Sequence, residues 1–209
     1  MAKKSPPIIS WTARLRDPRF RTIFFFGMTS GLPSSLVFAT LSIWLREEGI
    51  SRTSIGLIGV VATPYAINFL WAPLVDRLRL PIITARLGQR RSWILICQAG
   101  LVPVVIVMGI GDPKTSVMVI AACALIISLL SATQDVAIDA YRIEILDPEE
   151  YGVGAAVAIY GWHTGAFLTG AGALYVAASG GWGAAYIAAG CVIGAMAIAN
   201  QLTITLHSN

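Results

Sequence analysis

Residues 151–206 read YGVGAAVAIYGWHTGAFLTGAGALYVAASGGWGAAYIAAGCVIGAMAIANQLTITL, with no Asp, Glu, Lys or Arg among them. A bilayer core about 30 Å thick is crossed by about 20 apolar helical residues. The stretch is too long for one crossing. Ser179-Gly180-Gly181 interrupts it with turn-forming residues. It therefore predicts two helical spans in succession, near 153–178 and 182–205. Strands of a membrane barrel would instead show alternation over about ten residues, and a lone helix satisfies its own backbone in lipid.

Working back along the chain, four more charge-free stretches appear at 22–45, 54–75, 92–111 and 115–134. The last is drawn on to 138, past a single acid. The sequence thus predicts an all-α integral membrane protein, a bundle of six transmembrane helices over residues 22–206. A basic lead (1–21) precedes it and a short tail (207–209) follows. Composition agrees. The chain is 56% hydrophobic and 12% charged, whereas soluble domains carry about 25% charged residues. The first apolar run is longer than a secretory h-region and more spans follow, so it reads as a signal anchor.

The net charge of +4 does not indicate nucleic acid as a partner, because the basic residues sit at span ends. Twelve of the fifteen Lys and Arg fall on one side: Lys3, Lys4, Arg14, Arg16, Arg19 and Arg21, then Arg77, Arg79, Arg86, Arg90 and Arg91, then Arg142. Arg46, Arg52 and Lys114 fall on the other. The positive-inside rule then places both termini in the cytoplasm. Cys97, Cys123 and Cys191 lie inside spans, at spacings that fit no metal site, and read as packing residues. No metal or cofactor is expected. No enzyme constellation appears, and no Gly-rich loop ends in Lys-Ser/Thr, so transport would draw on an ion gradient.

Three signals stand out. The end of span 4 reads Ser131-Ala132-Thr133-Gln134-Asp135-Val136-Ala137-Ile138-Asp139-Ala140-Tyr141-Arg142. Asp135, Asp139 and Arg142 share one helix face. Two readings stand: a solvated helix end with an internal Asp139–Arg142 pair, or a gate or coupling cluster lining a cavity. The second signal is Ala72-Pro73-Leu74-Val75-Asp76-Arg77 followed by Gly88-Gln89-Arg90-Arg91. Positive-inside anchoring explains its arginines but not Asp76. The third is His163, about 15 Å into span 5. An intramembrane titratable group is a functional candidate. It serves either proton coupling or a hydrogen bond to a neighbouring helix.

Small residues four apart, Gly27 with Gly31, Gly161 with Gly165 and Gly190 with Gly194, read as close helix contacts. Ser30-Gly31-Leu32-Pro33 breaks span 1. Such breaks free carbonyls that can face a transport cavity.

Taken together, the motifs resemble a known family. Asp76-Arg77 with Gly88-Gln89-Arg90-Arg91 is similar to the loop joining spans 2 and 3 in the major facilitator superfamily. Ala72 stands there for the usual leading Gly, and extra residues separate the two parts. Ser30–Pro33, Trp44-Leu45-Arg46-Glu47-Glu48-Gly49, Leu70–Arg77 and Ser131–Arg142 look like the AmpG-type muropeptide permeases. The resemblance runs from about Arg19 to the end of span 6. It implies the N-terminal six-helix half of a superfamily fold, in an inner membrane. The substrate would be a glycopeptide, an anhydromuropeptide carried to the cytoplasm with protons for cell-wall recycling. It implies a substrate path or coupling site at Gly31, Ala132, Gln134, Asp135, Asp139 and His163. It implies a cytoplasmic gate of Asp76, Arg77, Arg90, Arg91 and Arg142, with Asp76 pairing with basic groups such as Arg142 in the outward-open state. A second six-helix half is implied as partner. Acetyl-CoA transporters share the Gln-Asp-x-Ala-x-Asp core and form the second resemblance, and a non-transporting half is the third reading.

Overall fold

A computed structural model describes residues 17–79 and 83–205. Most of the basic lead (1–16) and the tail (207–209) lie outside the described residues. The described chain is helical, with no strand among the described residues. Helix α1 is Pro18–Glu47, α2 is Arg52–Leu70, α5 is Gln89–Ile110 and α6 is Pro113–Ile145. Two short helices lie between α2 and α5: α3, Ala72–Arg77, and α4, Ile83–Leu87. The last, α7, is Tyr151–Thr205 and breaks at Gly181. Five helices are long and apolar enough to cross a membrane, α7 among them, and the break divides α7 into two arms. The expected all-helical membrane bundle is what the structure shows.

Local chemistry sets the helix ends. The Asp17 carboxylate accepts from the Arg19 backbone N–H at 2.8 Å, and Pro18 opens α1. That is the favoured arrangement at an N-terminus, where backbone donors lack partners. Burial on its own would raise the Asp17 carboxyl, but the hydrogen bonds and charge of Arg19 outweigh it and hold the group below its ordinary value. Asp112 caps α6 in the same way, accepting from Lys114 N–H at 2.9 Å. In α7 the chain turns at Gly181 with φ +80, a conformation that disfavours any side chain.

Prolines disturb the middle helices. In α2 the turns Gly59–Ala62 and Asn68–Leu70 tighten to 3₁₀. The first immediately precedes the segment carrying Pro64, and the second precedes α3, which carries Pro73; a proline brings no backbone N–H to the carbonyl four residues before it. In α1, Pro33 is followed by a π-turn, Leu36–Thr40. The Leu36 carbonyl accepts the hydroxyls of Thr40 and of Tyr186, each at 3.0 Å. The break therefore feeds a buried hydrogen bond between helices.

Helix α1 is the centre of the bundle. The first arm of α7 (151–180) runs parallel to it, because Gly161 meets Phe24 and Gly165 meets Met28. A methyl group at Gly27, Gly31, Gly161 or Gly165 would overlap a backbone carbonyl oxygen of the facing helix. Backbones this close gain packing and Cα–H···O contacts, which bind helices in lipid. The second arm (182–205) runs antiparallel to α1. The Trp182 indole donates to Glu47 at 2.6 Å, Tyr186 reaches Leu36, and Asn200 donates to Thr29 at 2.7 Å. Helices α5 and α6 form an antiparallel hairpin, with Gly100 against Leu130 and Arg91 against Tyr141. Gly190 and Gly194 of the second arm pack on Ile106 and Val102 of α5.

Helix α2 stands on the flank. Leu57, Val60, Phe69 and Leu70 are exposed, as are Ile159, Tyr160, Phe167 and Tyr175 on the first arm. Apolar surface of this extent suits lipid or another membrane segment.

Candidate functional site

A cavity of about 380 Å³ opens between α1, the C-terminal part of α6 and the first arm of α7. On α1, Gly27 and Ser30 line it, one turn apart. On α6, Asp135, Ile138, Asp139 and Arg142 line it, at the i, i+3, i+4, i+7 spacing of one helix face. Ala155, Ala158, Ile159 and Trp162 of the first arm supply the third wall with the same spacing. Small residues at 27, 155 and 158 leave the space, and Trp162 floors it.

Asp135 is the central group. The Ser30 hydroxyl donates to Asp135 Oδ1 at 2.6 Å, a charge-assisted bond of the strong kind. No ion pair to Asp135 occurs among the described residues. Asp139, one turn farther on, pairs with Arg142 at 3.1 Å and is largely exposed. The local Asp139–Arg142 pair and the cavity lining therefore coexist, although the sequence had posed them as alternatives. The wall carries one carboxylate without a cation and one with its own.

The other expected site residues are placed differently. Gly31 packs against the Trp162 carbonyl, so it positions α1 against the arm and does not line the space. Ala132 and Gln134 are fully buried inside the bundle, behind the cavity wall. His163 is exposed on the outer face of the arm, its ring edge-on to Trp162 at 4.9 Å. Facing outward on its arm, it makes no hydrogen bond to a facing helix among the described residues, and it lies beside the cavity without lining it. The sequence reading did not single out Ser30 and Trp162 as site residues. Ser30 lay in a quoted motif, but only a contact across 105 residues shows what it does. Trp162 carried no signal beyond its place next to His163.

The expected gate residues form a second cluster. Arg90 pairs with Asp76 and, through Nε, with Glu144 at 2.9 Å. The Gln89 carboxamide donates to the carbonyls of Val75 and Asp76, so α3 is tied to the start of α5. Arg91 donates to the Tyr141 hydroxyl at 3.2 Å and lies over its ring at 5.5 Å. Arg77 is exposed. Asp76 thus pairs with Arg90 in this structure, and Arg142 with Asp139. Exposed ion pairs are individually weak, about 0–1 kcal/mol. Arg90→Ala is accordingly expected to speed hydrogen exchange of the α3 amides several-fold while the melting temperature of the bundle holds. Unchanged α3 exchange would show that the Gln89 bonds alone hold α3.

A third cluster had no sequence signal beyond positive charge. Arg19 pairs with Asp17 at 3.0 Å and Glu150 at 2.9 Å, and donates to the Ile145 carbonyl at 3.3 Å. It joins the start of α1 to the turn between α6 and α7.

The family described as acetyl-coenzyme A transporter 1 matches residues 20–113. A putative transporter AmpG 4 of Rickettsia felis is 37% identical over 166 residues, 79% of this chain and 40% of that protein. The anhydromuropeptide permease of Escherichia coli K12 is 36% identical over 162 residues, 78% of this chain and 32% of that protein. An uncharacterized protein of Haemophilus influenzae is 39% identical over 158 residues, 76% of this chain and 36% of that protein. The chain spans well under half the length of these relatives.

Proposed function

We propose that this chain, a homologue of the AmpG-type permeases, supplies the N-terminal six-helix half of a proton-coupled transporter that brings anhydromuropeptides into the cytoplasm. The observation that carries the reading is the cavity wall itself. Asp135 faces an open space with a hydroxyl donor and no cation, and Asp139 with Arg142 stands one turn away. A carboxylate kept within a membrane bundle without a cationic partner is a group for exchanging protons or meeting a polar substrate. The name of the E. coli relative supplies the substrate class.

On this reading the site is shared with a second six-helix half, seated over the cavity and the exposed faces of α2 and the first arm. His163 then stands at the border between the halves, near enough to greet a substrate carboxylate. Asp76 and Arg90 act as a latch that changes partners as the halves rock. The membrane is the inner membrane, and the Arg19 end of the bundle is cytoplasmic.

The test uses cells lacking their own anhydromuropeptide permease. They would express the chain alone, and fused to the part of the E. coli relative that the match does not cover. Labelled anhydromuropeptide is expected to accumulate in the fused case and to stop accumulating with a protonophore. The family match over residues 20–113 favours a second reading, an acyl-CoA class of substrate. Competition of uptake by acetyl-CoA and none by unlabelled muropeptide would select that one. Loss of uptake in every arm, with the protein present in the membrane, would remove transport from the account.

A further inference from the structure

Behind the Asp135 wall lies a seam of buried polar side chains that the bundle does not pair. Gln98 of α5 and Ser128, Ser131 and Gln134 of α6 are each 0% exposed. Among the described residues the side-chain nitrogen and oxygen atoms of Gln98, Ser128 and Gln134 have no hydrogen-bond partner, while Ser131 and the buried Tyr65 hydroxyl of α2 have at most each other and Ser34. Leaving such a group unpaired costs about 1–3 kcal/mol, and native interiors hold few of them. Apolar residues would avoid that cost at these positions.

The hydroxyls are also aimed. Elsewhere in the bundle Thr22, Thr29, Ser34, Ser92, Thr133, Thr164 and Thr169 each turn back to the carbonyl four residues earlier. Ser128 and Ser131 stand on the same helix as Thr133 and do not. Their spacing with Asp135, three and then four residues, sets all three along one helix face. At 1.5 Å per residue the stripe is about 10 Å long. The Tyr65 hydroxyl sits beside Ser131 and Ser34, and Asp135 is the acid near both Tyr65 and Cys97. Gly100 packs on Leu130 in the antiparallel hairpin, which brings Gln98 level with the residues around Ala132. So α1, α2, α5 and α6 enclose the stripe together. Beyond Ser128 it stops against the apolar core of Leu101, Val105, Ala124 and Ile127.

We propose that this seam is a closed pocket for ordered water, about three or four molecules at hydrogen-bond spacing, which solvates the Asp135 carboxylate from behind. A buried water typically makes about three hydrogen bonds to groups that would otherwise lack partners, and the seam offers carboxamides and hydroxyls in that proportion. The pocket answers how Asp135 can carry charge without a cation. Its blind end also matters: water that reaches the core and stops there supplies solvation without a leak through the half.

The proposal rests on the reading of Asp135 as the proton-exchanging group, and its test is separable from that one. The full chain in lipid nanodiscs is exposed to brief X-ray pulses, which make hydroxyl radicals from water wherever it resides, and oxidation is read by mass spectrometry. Cys97 borders the seam and is 1% exposed, whereas Cys123 lies in the apolar core and is 7% exposed. Surface access alone would oxidise Cys123 at least as fast. The pocket predicts Cys97 oxidised several-fold faster, with that advantage lost in a Gln98→Leu, Ser131→Ala double variant. Equal rates, or a faster Cys123, overturn the proposal, and they do so on the unmodified chain even where the double variant fails to fold. A wet seam with uptake indifferent to Asp135→Asn sinks the coupling reading and leaves the pocket. A dry seam with uptake lost on Asp135→Asn sinks the pocket alone.

Discussion

Gly31→Leu is expected to abolish the folded bundle. The Gly31 Cα faces the backbone of the first α7 arm, and even a methyl group there overlaps the Trp162 carbonyl and crowds Ala166 N. Overpacking costs about 1–3 kcal/mol where side chains can shift. Here the obstacle is backbone, so relief requires the two helices to part. Parting them loosens Gly27, Gly161 and Gly165 as well, and it disturbs the adjacent Ser30, which donates to Asp135. The loss should therefore exceed that range. Size-exclusion chromatography and thermal unfolding in mild detergent check it: the variant should lose its single sharp peak or melt far below the parent. Gly172 provides the contrast, because a methyl group there meets nothing within 4 Å. Gly172→Ala should be neutral or gain up to about 1 kcal/mol through helix propensity. A Gly31→Leu protein that melts with the parent would dismiss the glycine seam as a structural element.

Asp135→Asn carries the second large effect. The substitution keeps the size of the side chain and its ability to accept from Ser30, and it removes only the charge and the exchangeable proton. Folding should therefore survive, as judged by the same melting assay. If Asp135 exchanges the coupling proton, uptake by the fused transporter falls to the level of cells without it. Ser30→Ala removes one hydrogen bond to a charged group, worth about 1.5–3 kcal/mol, so it should lower uptake by roughly tenfold or more without eliminating it. Asp139→Asn should do less than either, since Asp139 is exposed and has Arg142 beside it. Uptake that survives Asp135→Asn would transfer the coupling role to another group.

Much of the fold is legible in composition. Charge-free stretches locate helices because lipid leaves the backbone no other partner, and turn residues at 179–181 mark the reversal where Gly181 takes φ +80. The interior of α2 was less legible, since its 3₁₀ turns lie ahead of Pro64 and Pro73, whose missing N–H groups leave no mark in composition. The effect of Pro33 surfaces three residues later, as a π-turn whose carbonyl Tyr186 claims across 150 residues. Helix phase brought Asp135, Asp139 and Arg142 together from spacing alone. It said nothing of Ser30, or of Arg90 serving both Asp76 and Glu144. Those partners lie far apart in the chain, and one helix's periodicity does not reveal what its neighbour presents. His163 shows the complement: its depth in the span was legible, but the side of the helix it occupies was not, and it faces away from this bundle.

The central place of α1 also bears on how the chain is made. Its contacts are chiefly with segments synthesised long after it: Thr29 waits for Asn200, 171 residues on, and Glu47 for Trp182, 135 residues on. During translation the first helix must therefore rest in the bilayer with its glycines unmet until the arms of α7 have been made. Pairings this distant in order form slowly. A chaperone or insertase that shelters the young helix through that interval would raise the yield of folded protein, and stalling synthesis before the second arm should leave the first helix open to attack by membrane proteases.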